Sequence, residues 1–291
     1  MQLLLNALIA GSFAALMAGG LSLVYGVLRV FNLALGQLAL VGGYTTWWFY
    51  RQAHLPLPLS IAGGVVIAAI VTWLSFEFFV APYYQRHRFL PLVTTIALSM
   101  ILDGLILLLF EEHPRSILEG AKRQMPFLGA TISLEQVALI VLTVASLCFV
   151  AWVLHATRYG RAIRATVQHP SAAQSLGINS ALLHRVLFVV SGVLAAFAGI
   201  YVGIDQSLTP VLGFPITIKA YAALIAGGKN SLWGTIAAAY VIALLEQLAV
   251  GVPWFGYYIP AGYQSAVALI VIIIVLLFRP QGVFGSRVRI A

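Results

Sequence analysis

Three charged side chains stand inside apolar stretches of the chain and are its best candidates for chemistry at membrane depth. Asp103, Lys219 and Glu246 each lie within a run of mostly hydrophobic residues, whereas Glu77 and Asp205 lie near the ends of such runs. Because a charge is costly in hydrocarbon, such residues usually face protein or water and often mark a path for protons, ions or substrates. Two interpretations remain open: the three residues line a polar path, or Lys219 pairs with Asp103 or Glu246 and holds helices together.

Motifs for catalysis or for cofactor binding are not visible in the sequence. The six histidines are scattered without the spacing of a metal site, and no GxxxxGK[ST] loop for nucleotide phosphates occurs. Asp103 and Asp205 are the two aspartates, and neither belongs to a recognisable protease or nucleophile motif. We therefore expect a chain that is not an enzyme and that has no catalytic residues, no metal ligands and no cofactor of its own.

A polar, basic stretch at residues 158–179 separates two long apolar runs. Pro170 suits the first turn of a helix, and Gly177 suits the position just after the end of one. These two positions predict a helix of about two turns. Its small or apolar residues are expected on one face: Ala172, Ala173 and Leu176.

So short a helix is not stable alone and needs a surface to pack against. One interpretation is that it docks into a groove on a cytoplasmic partner protein. The other is that it lies on lipid headgroups, with the arginines of residues 158–164 against anionic lipid. The residue pattern alone does not choose between them.

The elements that position these residues must be transmembrane helices. Of the 291 residues 62% are hydrophobic and 8% are charged, whereas soluble domains carry about 25% charged residues. A membrane-spanning helix needs about 20 mostly apolar residues. The sequence offers nine such runs: 3–28, 31–50, 58–80, 90–110, 134–156, 184–205, 213–228, 231–251 and 259–278. We expect an all-α polytopic membrane protein with eight to nine spans, formed by residues 1–291 as a single domain.

Two of these runs, 31–50 and 213–228, are short or interrupted by glycine and amide residues and are candidates for broken or re-entrant helices. Similar glycine-rich segments at 32–44 and 226–235 suit an inverted-repeat transporter, but they equally suit close helix packing. Polar or glycine residues at membrane depth are candidates for lining a substrate path: Asn32, Gly36, Gln37, Thr95, Gly227, Gly228 and Asn230.

The basic residues are distributed unequally between the two sides of this topology. With nine spans, eleven lysines and arginines fall on one side and four on the other. Basic loops are retained in the cytoplasm, which predicts a cytoplasmic C-terminus and explains the net charge of +8 without nucleic-acid binding.

Five segments, in order along nearly the whole chain, resemble the permease subunits of branched-chain amino acid ABC importers, a family that also includes urea and short-amide permeases. The first is VYGVLRVFNLALGQLALVGGY at 24–44, and the second is TTIALSMIL at 94–102. The third, at 157–179, contains TRYGRA and LGIN, and the remaining two are AGGKNSLWGT at 226–235 and RPQGVFG at 279–285.

The resemblance implies a role for the cytoplasmic loop at 157–183. In that family the loop carries the coupling helix that docks on the ATPase subunit. The residues of this chain that match it are Gly160, Arg161, Arg164, Pro170, Ala173, Leu176 and Gly177.

The resemblance also implies partners and a location. We expect a second permease subunit, usually a distinct chain, together with two ATPase subunits that bind ATP and Mg²⁺, and an external solute-binding protein. The expected location is a bacterial-type cytoplasmic (inner) membrane.

The transported solute is left open between hydrophobic amino acids, which lead, and urea or short amides. A stand-alone channel or secondary carrier that uses Asp103, Lys219 and Glu246 is the alternative from another class. That alternative leaves residues 158–179 without a purpose.

Overall fold

Most of the apolar runs become helices, because a backbone in hydrocarbon must satisfy its hydrogen bonds within its own segment. The computed structural model describes residues 1–84, 89–118, 124–127, 130–229, 231–252, 260–279 and 282–283. Its helices are α1 (Gln2–Leu28), α2 (Leu35–Arg51), α3 (Leu57–Ser75), α4 (Leu90–Phe110), α5 (Leu134–Ala156), α6 (Arg158–Gln168), α7 (Pro170–Ser175), α8 (Ser180–Asp205), α9 (Gly213–Gly227), α10 (Leu232–Gly251) and α11 (Gln264–Phe278).

The predicted fold class and approximate number of spans are confirmed. Within the described part of the chain, seven helical stretches are long and apolar enough to cross a membrane, and α11 is a shorter apolar helix. Two of these stretches include neighbouring turns of another type, a π-helical turn after α3 (Phe76–Val80) and a 3-10 turn before α9 (Pro210–Leu212). The protein is therefore a nearly all-α, multi-pass membrane protein.

The two runs predicted to be irregular form the short helices α2 and α9. Residues 29–34 are not helical, so α2 begins only at Leu35, and α9 follows the 3-10 turn Pro210–Leu212. The beginnings of these two helices meet, because the Gly36 N–H donates to Thr217 Oγ1 over 2.9 Å. Non-helical backbone at membrane depth is tolerated where it is buried in protein, and Asn32 and Pro210, one in the segment before each helix, are buried.

Small residues allow the central helices to approach closely. A Cβ atom at Gly199 of α8 would overlap the Ala39 carbonyl of α2, and one at Gly42 would lie 2.6 Å from the Ala196 Cβ. Such small-residue contacts are typical of helix packing in membranes. As a result α1 and α8 are mostly buried, whereas α3, α4 and α5 expose most of their surface.

One feature of the loop between α4 and α5 is not predicted by the sequence. Strands β1 (Gln124–Phe127) and β2 (Ala130–Ser133) pair antiparallel, with Gln124 opposite Ser133. Ser133 then caps α5, since its hydroxyl accepts from the Gln136 N–H over 3.2 Å. The hairpin therefore leads directly into the first turn of α5.

Candidate functional site

The cytoplasmic loop predicted at 157–183 begins with α6, which folds back against the end of α5. Thr157 Oγ1 caps α6 by accepting from the Gly160 N–H over 3.3 Å. A Cβ atom at Gly160 would overlap the Leu154 carbonyl, and the Arg164 guanidinium donates to that same carbonyl. Gly160 and Arg164 thus attach α6 to α5, while the Arg161 side chain is exposed.

The second helix of the loop, α7, ends in a tight glycine turn. The Gly177 N–H donates to the Gln174 carbonyl over 2.9 Å, and the Ile178 N–H donates to the Ala173 carbonyl over 3.1 Å. This pair of bonds is the Schellman motif, and it needs a residue with positive φ, which Gly177 supplies at 81°. Gly177 therefore lies just beyond the helix, as predicted, and Pro170 is the first residue of α7.

The residues expected on one apolar face of α7 are separated in the structure. Ala173 is 2% exposed and packs within the loop, whereas Leu176 is 81% exposed and Ala172 also faces outward. Leu176 follows α7 as its C-cap residue, and its side chain lies on the exposed side of the loop. The surface offered by the loop is therefore built around Leu176.

The predicted path residues near the start of α2 lie in the buried core. Thr95 Oγ1 donates to the Phe31 carbonyl over 3.2 Å and lies 3.3 Å from the Leu33 N–H. Asn32 Oδ1 accepts from the Ala34 N–H over 3.1 Å. These contacts provide hydrogen-bond partners for the non-helical backbone before α2, so Asn32 and Thr95 stabilise that segment.

Gly36 and Gln37 occupy the contact between α2 and its neighbours. A Cβ atom at Gly36 would overlap the Gly213 carbonyl of α9. Gln37 Nε2 donates to Asp103 Oδ1 over 3.3 Å. The intramembrane carboxylate Asp103 thus has an amide partner and is separate from Lys219.

The glycines at the end of α9 form a turn. Gly228 has φ 104°, and a Cβ atom at Gly227 would overlap the Gly234 carbonyl of α10. The third predicted residue of this segment, Asn230, lies outside the described residues.

A cavity of about 420 Å³ opens among α1, α5, α8, α9, α10 and α11. Lys219 and Glu246 both line it, and Lys219 Nζ donates to Glu246 Oε2 over 3.0 Å. Of the two partners considered for Lys219, the structure therefore places Glu246 beside it.

The mouth of this cavity is polar and lies at the end of the bundle opposite α6 and α7. Gln136 stands near the beginning of α5, and Asp205 is the last residue of α8, whereas α6 and α7 connect the other ends of these two helices. Gln136 Nε2 donates to Asp205 Oδ1 over 2.8 Å. Further amides line the cavity at Asn6, Gln206, Gln247 and Gln264.

Five amides that line the cavity were not identified from the sequence as site candidates: Asn6, Gln136, Gln206, Gln247 and Gln264. Each is an amide near the end of an apolar run, but they are spread from residue 6 to residue 264 and come together only through the fold. Among the described residues, no group of three His, Cys, Asp or Glu side chains is placed to hold a metal ion.

Comparison with known proteins connects this architecture to a family. The family model described as "Branched-chain amino acid transport system / permease component" matches residues 3–276. The high-affinity branched-chain amino acid transport system permease protein BraD of Pseudomonas aeruginosa is 29% identical over 98% of this chain and 95% of its own length. The corresponding Escherichia coli K12 protein, LivH, is 25% identical over 98% of this chain and 95% of its own.

A solved structure supports the fold. PsaBC from Streptococcus pneumoniae, determined in complex with Fab, superimposes with a TM-score of 0.52 at 16% identity, covering 97% of this chain and 93% of that one. At that identity the likeness concerns the fold alone.

The family match spans nearly all of the membrane helices and includes four of the five resembling segments of the sequence, all but the segment at 279–285. It identifies a transport subunit of the multi-pass, cytoplasmic-membrane type. The chain therefore belongs to the family of permease components of branched-chain amino acid transport systems.

Proposed function

We propose that this chain is one of two membrane subunits of an ATP-driven importer and forms part of the path for branched-chain or other hydrophobic amino acids. The family match over residues 3–276 carries the proposal. The partner ATPases would bind ATP and Mg²⁺ and hydrolyse the nucleotide, while an external binding protein would deliver the solute. No covalent chemistry is required of this chain.

The loop made by α6 and α7 supports a coupling role. Its exposed apolar residue Leu176 suits a groove on another protein. At one end α6 is fixed to α5 through Gly160 and Arg164. At the other end Asn179 caps α8, because its Oδ1 accepts from the Leu182 N–H over 3.0 Å. A force on α7 would therefore reach α5 and α8 together.

This connection links the loop to the cavity, because the far ends of α5 and α8 line the cavity mouth. An ATPase that contacts α7 differently in two states of the permease would shift the equilibrium between them. We propose that this shift opens the path alternately to the outside and to the cytoplasm. The C-terminus and α7 would both lie in the cytoplasm.

The relatives' names support the substrate class. The Pseudomonas aeruginosa and Escherichia coli proteins are both named as branched-chain amino acid permeases. The cavity agrees with such a solute, since it combines apolar wall residues with polar and charged groups, as small-molecule sites do.

Uptake competition in the assembled complex tests the substrate. Radiolabelled leucine uptake into proteoliposomes is measured against excess isoleucine, valine, phenylalanine, urea and acetamide. We expect strong competition by the hydrophobic amino acids and none by urea or acetamide. Uptake of urea or acetamide, with no uptake of leucine, would replace amino acids by short amides as the substrate.

A further inference from the structure

We propose that the cavity binds the zwitterionic head of an amino acid directly, with Lys219 pairing with the α-carboxylate and Glu246 pairing with the α-ammonium group. The inference rests on the proposed function and deepens it, because it assigns a binding site within the permease itself. The ion pair of Lys219 and Glu246 lies on the cavity wall.

The pair is buried but incompletely satisfied. The Glu246 side chain is 6% exposed and the Lys219 side chain is 23% exposed. Lys219 bonds one carboxylate oxygen of Glu246, and the other, Oε1, is buried without a hydrogen-bond partner. A buried charged oxygen without a donor is costly, so the site has an unused acceptor beside an ammonium group.

A zwitterion matches this pair in charge. It brings one carboxylate and one ammonium group, so both Lys219 and Glu246 gain a partner of opposite charge, and the net charge of the site is unchanged. A simple amine or a simple carboxylate pairs with only one member and leaves the other less well compensated, which is unfavourable in a buried site. The pair therefore selects for molecules that carry both groups.

The rest of the cavity suits a hydrophobic side chain. Ile9 and Phe13 of α1, Ile216 of α9 and Ile242 of α10 supply apolar wall. The volume, about 420 Å³, lies within the range of about 300–1,000 Å³ that is usual for small-molecule sites. The cavity thus offers one surface to the charged head of the amino acid and another to its apolar side chain.

The first test removes both charges together, because removing one alone would leave the other buried and unpaired. Lys219→Met combined with Glu246→Gln leaves neutral groups of similar size, which buried positions often tolerate. In proteoliposomes with the complete complex, we expect unchanged subunit assembly and unchanged ATP hydrolysis without solute. We expect kcat/KM for leucine uptake to fall at least about tenfold.

A second interhelical ion pair provides the matched control. Arg185 of α8 and Glu77, in the π-helical turn after α3, form a pair that does not line the cavity. Glu77→Gln combined with Arg185→Met should leave leucine uptake within about twofold of the parent. Unchanged uptake in the cavity variant, or an equal loss in both double variants, would overturn the proposal.

A second measurement keeps the natural charge pair and does not depend on the double variant. Gln247 lines the cavity next to Glu246, so Gln247→Cys in a Cys148→Ser background places a single thiol there. We expect leucine to slow the reaction of this thiol with a small thiol reagent. 4-Methylpentanoate, which lacks the ammonium group, and 3-methylbutylamine, which lacks the carboxylate, should need at least about tenfold higher concentrations.

The outcomes separate this inference from the proposed function. Equal protection by leucine, the acid and the amine, or no protection by leucine in a complex that transports it, would overturn the zwitterion site alone. Failure of the unaltered complex to take up any amino acid would overturn the proposed function.

Discussion

Leu176 is the residue through which the loop offers an apolar surface, and it lies at the turn that ends α7. Leu176 is the residue that follows α7, and Gly177 turns the chain next with φ 81°; the leucine side chain is 81% exposed. Apolar residues of this kind often anchor one protein in a pocket of another. Two substitutions test whether the side chain and the turn have separate roles.

Leu176→Glu should abolish association with the ATPase subunits. A charge placed in an apolar groove would be desolvated without a partner, and loss of an anchor residue costs about 2 kcal/mol or more in binding. Co-purification of the ATPases with the tagged permease measures the effect. Leu176→Met is the control and should retain the complex; unaltered assembly of the Glu variant would exclude docking through this residue.

Gly177→Ala should weaken the coupling turn without a steric clash. A Cβ atom at Gly177 meets nothing within 4 Å, so the cost is conformational and amounts to about 1–2 kcal/mol for a left-handed residue. We expect a lower ATPase affinity in a titration of the reconstituted permease. Gly104→Ala is the matched control, because that position is helical and equally open; an equal effect of both changes would contradict the account.

Much of the residue-level prediction came from spacing, and its errors have physical causes. Pro170 and Gly177 mark α7 correctly because both residues act through their own backbone. The partner of Lys219 was left between Asp103 and Glu246, since sequence does not tell how helices rotate against one another. Gln37, a predicted path residue, donates to Asp103, a contact that its polarity alone does not predict.

At the scale of the elements, the two short helices α2 and α9 depend on glycine at their contact. Gly36 and Gly213 lie where the two helix beginnings meet, and Gly36 also donates to Thr217. Interrupted hydrophobic runs predicted that both segments were irregular. The contact between the beginnings of the two helices is seen only in the folded structure.

Gly36→Ala should destabilise the whole bundle. The new methyl group would overlap the Gly213 carbonyl, and because backbone cannot move as easily as a side chain, we expect the upper end of the usual overpacking cost of about 1–3 kcal/mol. Thermal unfolding of the detergent-solubilised protein measures this as a lowered midpoint. Gly26→Ala, where nothing lies within 4 Å, should leave the midpoint unchanged; a similar midpoint for both variants would show that the α2–α9 contact is loose.

The elements that were not predicted from the sequence, α6 and the β1–β2 hairpin, are short. The buried face of α6 consists of Gly160, Ile163 and Thr166, only one of which is strongly hydrophobic. The hairpin of β1 and β2 has four residues in each strand, too few to show a reliable alternation. Long spans were predicted well because about 20 apolar residues leave few alternatives.

At the scale of the whole molecule, the fold separates two functional ends. α6 and α7 occupy one end, and the cavity mouth formed by Asn6, Gln136 and Asp205 occupies the other. Arg29, Lys229 and Arg279 follow the ends of α1, α9 and α11 on the same side as α6 and α7, as expected for a cytoplasmic face. The cavity would then face the external binding protein.

Thiol accessibility tests this orientation. In a Cys148→Ser background, Asn6→Cys should react with a membrane-impermeant reagent added to intact cells, because it lines the outward cavity. Ser171→Cys, exposed on α7, should react only after the membrane is opened. The reverse pattern would invert the proposed topology and place the loop outside.

The central claim is that this chain works as the membrane subunit of an ATP-driven importer, and vesicle transport tests it most directly. Leucine uptake is compared in vesicles that contain the full complex with internal ATP, the full complex without ATP, and this chain alone under an ion gradient. We expect uptake only in the first case, since nothing in the chain is proposed to capture energy without the ATPases acting on α7. Gradient-driven uptake by the chain alone would contradict the account and favour a secondary carrier that uses its intramembrane charges.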